Sequence, residues 1–183
     1  DNGVAYRWCV TSKNGFRVND ESAVISFPQD SEIWYPAENN GFYSANEQKF
    51  TRMPLEDLEP GRLASLPVLF GSGGWRGLIT ESDLLDYAGM WMEKGENLAM
   101  KAVFPKYPAC LEKRGDRDEF VHEREEWIAS YQSGTTFPWR VIAIADEDKQ
   151  LLTNTLVYQL ATPSDRNAVE RLANQAHELH VAW

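Results

Sequence analysis

Residues 139–145 read WRVIAIA. Alternation sets Trp139, Val141, Ala143 and Ala145 on one side and Ile142 and Ile144 on the other, so the segment reads as a strand covered on both faces. One charge interrupts it: Arg140 sits in the most apolar stretch of the chain. A buried guanidinium needs an acidic partner, and Glu81 and Glu32 are the candidates. ADEDKQ (145–150) then gives a polar reversal.

The same period of two recurs on either side. In VAYRWCV (4–10), Val4, Tyr6, Trp8 and Val10 share a face; in LAMKAVF (98–104), Leu98, Met100, Ala102 and Phe104 do so. SAVISF (22–27), EIWYP (32–36), VLFG (68–71), RGLIT (76–80), WIASY (127–131) and TLVYQL (155–160) complete the candidate strands. Short strands separated by Gly, Pro, Asn and Asp, with almost no helix, predict an all-β antiparallel sandwich. SKNG (12–15) offers an Asn-Gly hairpin signal, while 37–66 and 105–126 read as long polar excursions. Beyond Pro163, Val169, Leu172, Ala173, Ala176 and Leu179 fall at helical spacing, which predicts an amphipathic helical tail over 164–183.

Composition narrows the functional classes. A chain of 183 residues with 43% apolar and 12% aromatic content has enough to bury a core as one domain. Its net charge is −10, and its basic residues are interleaved with acids, as in EKRGDRDE (112–119), so nucleic acid is not an expected partner. No run of 18 apolar residues is present, which argues against a membrane-spanning helix. DNGVAYRW at the start shows neither a basic leader nor an apolar signal core and reads as the inside of a strand. Cys9 and Cys110 lie in apolar or aromatic surroundings and read as buried free thiols, with a disulfide as the alternative in an exported protein. His122, His177 and His180 lack zinc-ligand spacing.

Few motifs carry chemistry. GSGGWRG (71–77) lacks the Lys-Ser/Thr ending of a phosphate loop, so its glycines serve a tight reversal. DEDK (146–149) fails the calcium-loop pattern and reads as a solvated hairpin turn. There is no G-x-S-x-G elbow and no histidine near enough in sequence to activate a nucleophile. Trp34, Tyr35, Trp75, Trp91 and Trp139 would suit either a core or a stacking platform. In GLITESDLLDYAGMW (77–91) an apolar run stops at Glu81 and Asp83. From spacing alone these acids either cap a turn or hold a ligand at the end of a rigid strand.

Taken together, DNGVAYRW, SFPQDSEIWYP, LPVLF, GLITESDLLDYAGM, AVFPKYP and GTTFPWRVIAIADEDKQLLTNTLVYQLATPS resemble, in order, the N-terminal domain of glycoside hydrolase family 97. That family includes α-glucosidases and α-galactosidases. The resemblance implies a galactose-mutarotase-like β-super-sandwich over 1–163, incomplete on its N-terminal side, and a helical connector over 164–183 leading to a (β/α)8 catalytic barrel. It implies oligosaccharide substrates, calcium as cofactor, and export to the periplasm or cell exterior. Catalytic residues belong to the barrel, so this chain carries none and is inactive alone. The glutamate of the family's ITE motif helps bind calcium, and its counterpart is Glu81, which leaves Asp83 to the turn. Substrate-contacting residues are not assigned. DRNAVERLANQAHELHVAW (165–183) departs from the family's barrel entry, lacking its KPG. The competing expectation is a stand-alone carbohydrate-binding sandwich that uses exposed aromatics.

Overall fold

The apolar run 139–145 is a strand from end to end, held between two antiparallel neighbours. The computed structural model of the protein describes residues 2–115 and 118–164. In chain order its strands are β1 (Gly3–Tyr6), β2 (Cys9–Val10), β3 (Phe16–Val18), β4 (Val24–Ser26), β5 (Glu32–Tyr35), β6 (Thr51–Pro54), β7 (Val68–Ser72) and β8 (Trp75–Ser82). There follow β9 (Trp91–Lys94), β10 (Ala99–Val103), β11 (Pro108–Arg114), β12 (Asp118–Arg124), β13 (Ala129–Tyr131), β14 (Thr135–Thr136) and β15 (Trp139–Ala145), then two short helices, α1 (Asp148–Leu152) and α2 (Leu156–Leu160). The architecture is all-β and antiparallel, as the alternation predicts. The tail expected over 164–183 lies, beyond Ser164, outside the described residues.

Six strands form the main sheet in the order β1-β15-β8-β7-β5-β6, and β4-β10-β9 form a second. The core lies between them. Ile33, Tyr35, Val68, Phe70 and Ile79 of the first meet Met92 and Met100 of the second, with Phe27 edge-on against Phe70 at 4.9 Å. Tyr35 is fully buried, and its Oη lies 2.7 Å from the Met92 carbonyl, so one phenol ties the layers together. The LAMKAVF face is borne out by the burial of Met100 and Phe104.

Turn chemistry holds where the glycines are essential. Gly73 and Gly74 both have positive φ and join Ser72 to Trp75 in a two-residue hairpin, as GSGGWRG predicts. Gly77 answers a different need. A Cβ there would stand 2.2 Å from the Phe70 ring, so its bare backbone is what lets that ring lie across β8.

Several expectations are corrected. SKNG makes no hairpin, because β2 pairs with β14 and β3 with β13. Ser12 Oγ instead closes a local turn, donating to the Asn14 carbonyl and accepting from its N–H. TLVYQL is the helix α2, whose first N–H is taken by Asn154 Oδ1; over so few apolar residues the two periods are hard to tell apart. DEDK enters α1 through a capping box, Glu147 with Gln150, and forms no hairpin. The 105–126 excursion contains the β11–β12 hairpin. WRVIAIA is covered less evenly than its composition suggests: Val141, Ala143 and Ala145 are buried, but Ile144 is 43% exposed. VAYRWCV breaks after Tyr6, and Val4, Tyr6 and Trp8 are exposed. Cys9 and Cys110 are exposed free thiols, one on a two-residue strand and the other on the projecting hairpin, so their burial does not hold.

Candidate functional site

Glu81 and Arg140 are directly opposed on β8 and β15. The pairing follows from register: once Ile142 faces Ile79 to build the core, the residues two places along must also meet. Arg140 Nη1 donates to Glu81 Oε2 at 2.7 Å. Of the two proposed partners Glu81 is thus found, whereas Glu32 pairs with Arg52 at the surface.

A third member was not legible. Glu21, just before β4, accepts Nε of Arg140 at 2.8 Å and Nη2 at 2.6 Å, a bidentate clasp across 119 positions of chain. Tyr87 Oη donates to Glu21 Oε2 at 2.9 Å. Arg140 is only 3% exposed, with its guanidinium also lying 4.9 Å from the Phe104 ring centre. One signal pointed toward Glu21. A buried guanidinium has five N–H donors, and a single carboxylate cannot satisfy them.

Charge and burial oppose each other here. Burial would pull Arg140 down, but the hydrogen bonds and charges of Glu21 and Glu81 hold its pKa above the usual value. Burial pushes Glu81 up to about 6, although Arg140 and the Met90 N–H both favour its charged form. That N–H lies 3.1 Å from Oε1 and 3.2 Å from Oε2, so the loop after β8 folds back onto the carboxylate. Burial also raises Tyr87, with Glu21 adding to the effect.

Asp83 has a different task from the local capping expected of it. With φ at 60°, it accepts from the Thr162 N–H at 2.8 Å and the Thr162 hydroxyl at 2.9 Å, with Arg7 3.8 Å away. These contacts, led by the Thr162 N–H, hold its pKa low. It therefore fastens the segment after α2 to the end of β8.

The five aromatic residues considered as a platform are dispersed. Tyr35 is core, Trp34 lies beneath Arg52 and Arg76, Trp75 packs on Phe70, and Trp139 lies beneath Arg7. Trp91 meets Phe42 edge-on at 5.6 Å. Among the described residues no group of three or more His, Cys, Asp or Glu side chains comes together as a metal-binding set. Calcium takes six to eight oxygens. Glu81 offers two, one turned to Arg140 and both accepting from the Met90 N–H, so it does not make a site by itself, and one ligand among several is the most it could supply.

Comparison with known proteins adds the family. The glycosyl-hydrolase 97 N-terminal model matches residues 1–163. A retaining α-galactosidase of Bacteroides thetaiotaomicron is 31% identical over 180 residues, which cover 90% of this chain and 27% of that protein. A family 97 enzyme from Pseudoalteromonas sp. strain K8, solved with panose, superposes with a TM-score of 0.70 at 20% identity, covering 90% of this chain and 23% of its own. A β-arabinopyranosidase gives 0.56 at 17%, over 80% of this chain and 24% of its own. This chain thus spans about a quarter of each relative's length. With the model matched from the first strand through the Thr162 tether, the chain belongs to the glycosyl-hydrolase 97 N-terminal family.

Proposed function

We propose that this chain is the non-catalytic N-terminal domain of an α-glycosidase and lends Glu81 to a calcium site whose other ligands lie on a catalytic barrel. The observation that carries the reading is the held carboxylate: Glu81 stands at the end of β8, fixed by Arg140 and the Met90 N–H, in a chain matched along 1–163 by a glycosidase family. Holding matters because a hard cation rewards oxygens fixed before it arrives. Arg140 sets the direction of Oε2, Glu21 sets Arg140, and the N–H contacts from Arg140 and Met90 do not use all the lone pairs of Glu81. When bound, calcium would supply Lewis-acid positive charge toward substrate oxygens. The α-galactosidase and the panose-bound enzyme favour α-linked sugars as substrates.

The test uses the full-length protein that carries this domain. Hydrolysis of aryl α-galactoside and aryl α-glucoside should fall on chelation and return with calcium. Glu81→Gln should raise the half-saturating calcium concentration by roughly tenfold, the loss expected for one charged ligand at about 1.4 kcal/mol. Unchanged calcium dependence would sink the metal role, and turnover by residues 1–183 alone would sink the accessory role.

A further inference from the structure

A cavity of about 570 Å³ lies under the base of the β11–β12 hairpin, and Glu81 is not among its walls. Its sides are rings. Tyr107 and Trp127 stack at 4.5 Å with 23° between their planes, and Trp127 also lies beneath the Arg17 guanidinium at 5.3 Å, so the half-exposed Tyr107 ring presents the free face; Trp91 and Phe42 line the cavity from β9 and the 37–50 segment. Its size falls in the range of small-ligand sites, about 300–1,000 Å³.

The polar groups at the cavity define the ligand. Lys106 and Arg124 line it, but both point hydrogen bonds at main-chain carbonyls, Lys106 at Asn19 and Arg124 at Lys106 itself. An anion would have to compete for them. The Asp86 carboxylate and the Ser130 hydroxyl are exposed and make no side-chain hydrogen bond or ion pair among the described residues. The enclosed indole N–H of Trp127 likewise meets no acceptor among them. Flat apolar faces combined with an unused acceptor and an unused hydroxyl suit a ligand that is flat and apolar on one side and rich in hydroxyls at its edge.

We propose that this cavity binds a neutral pyranose ring, stacked on the exposed Tyr107 ring that Trp127 backs, and hydrogen-bonded by Asp86 and Ser130. It is a second carbohydrate position, and it does not depend on Glu81 being a metal ligand. The two are nevertheless adjacent along the chain. Asp86, Tyr87, Ala88 and Trp91 line the cavity, the same loop carries the Met90 N–H that holds Glu81, and Tyr131 Oη anchors the Asp86 carbonyl at 2.9 Å.

Titration of the 183-residue chain with methyl α-galactopyranoside, methyl α-glucopyranoside and inorganic phosphate, read by tryptophan fluorescence and by ligand-detected NMR, tests this. Saturable binding of at least one glycoside is expected, with Kd on the order of millimolar, as befits a single ring. Asp86→Asn should weaken it about threefold, and Trp127→Ala or Ser130→Trp by about tenfold or more. Ser130→Trp blocks an exposed rim position, so it still reports if Trp127→Ala fails to fold. Trp34→Ala, on another surface, should leave affinity unchanged. Failure of both glycosides to saturate, survival of binding in Ser130→Trp, or tighter binding of phosphate than of either sugar would each overturn the proposal. Calcium dependence in the full-length protein is measured at Glu81, so either reading can fail without the other.

Discussion

Glu81 costs the isolated fold something to keep charged, and this gives a pH dependence with a definite sign. Burial raises its pKa in the folded chain, so the folded state takes up a proton that the unfolded state releases. Stability from this group is fully present below the unfolded value near 4.5 and is lost as pH rises through about 6. The urea midpoint of the wild type, compared with Glu81→Gln, should therefore show an extra stabilisation of about 1 kcal/mol on going from about pH 7 to about pH 5, tending to about 2 kcal/mol at lower pH. Equal pH slopes in the two proteins would contradict this. Arg140→Met acts oppositely, since it leaves Glu21 and Glu81 buried without a cation, and should cost about 3–5 kcal/mol near neutral pH by chemical denaturation. At this scale the sequence disclosed half of the site. Arg140 is conspicuous because a charge interrupts an apolar strand, and Glu81 because it ends one. Glu21 sits in a polar stretch, NDES, that looks solvated, and only the meeting of the two sheets buries it.

Individual elements were legible where a single force decides them. The β7–β8 hairpin is fixed by two glycines that accept positive φ, and β15 by alternation with its neighbours supplied on both edges. Where forces compete, local pattern misleads. TLVYQL has strand-like composition, but the sheet face beneath it, Val141, Ala143 and Ala145, needs a cover, and α2, whose first N–H is taken by Asn154, supplies one; a Cβ on Gly3 would touch Leu156 at 2.8 Å. The Asn-Gly signal of SKNG yields in the same way to long-range pairing with β13 and β14. The most exacting element contact is Gly77 against Phe70. Phe70 is 3% exposed and packed against both Phe27 and Trp75, so its ring has little room to retreat. Gly77→Ala should destabilise the chain by about 1–3 kcal/mol in a denaturant melt, and Phe70→Leu placed on top of it should recover part of the loss. Additive losses would mean that the clash is relieved by backbone movement instead.

The whole molecule shows an uneven distribution of apolar surface. The core face of the main sheet continues past β8 and β15 to β1, where Val4 lies opposite Ile142. There the cover runs out: Val4 is 56% exposed, Ile144 43%, and Trp8 just beyond β1 is 53%. In the described sheet β1 is also an edge strand, with one side of its backbone unpaired. An apolar face beside a free edge favours strand-to-strand association, which charge opposes. This chain carries a net charge of −10, so the two effects should be separable with salt. Sedimentation of the 183-residue chain should show association that rises with protein concentration and strengthens between about 0.05 and 0.5 M salt, as screening shortens the reach of the repulsion from about 14 Å to about 4 Å. Val4→Lys combined with Ile144→Lys should return it to monomer while leaving the far-ultraviolet spectrum unchanged, because both positions are open enough for a long side chain to carry its charge into water. If the double variant associates as strongly as the wild type, the contact lies elsewhere, and the projecting β11–β12 hairpin, exposed along the whole of β11, becomes the surface to alter next.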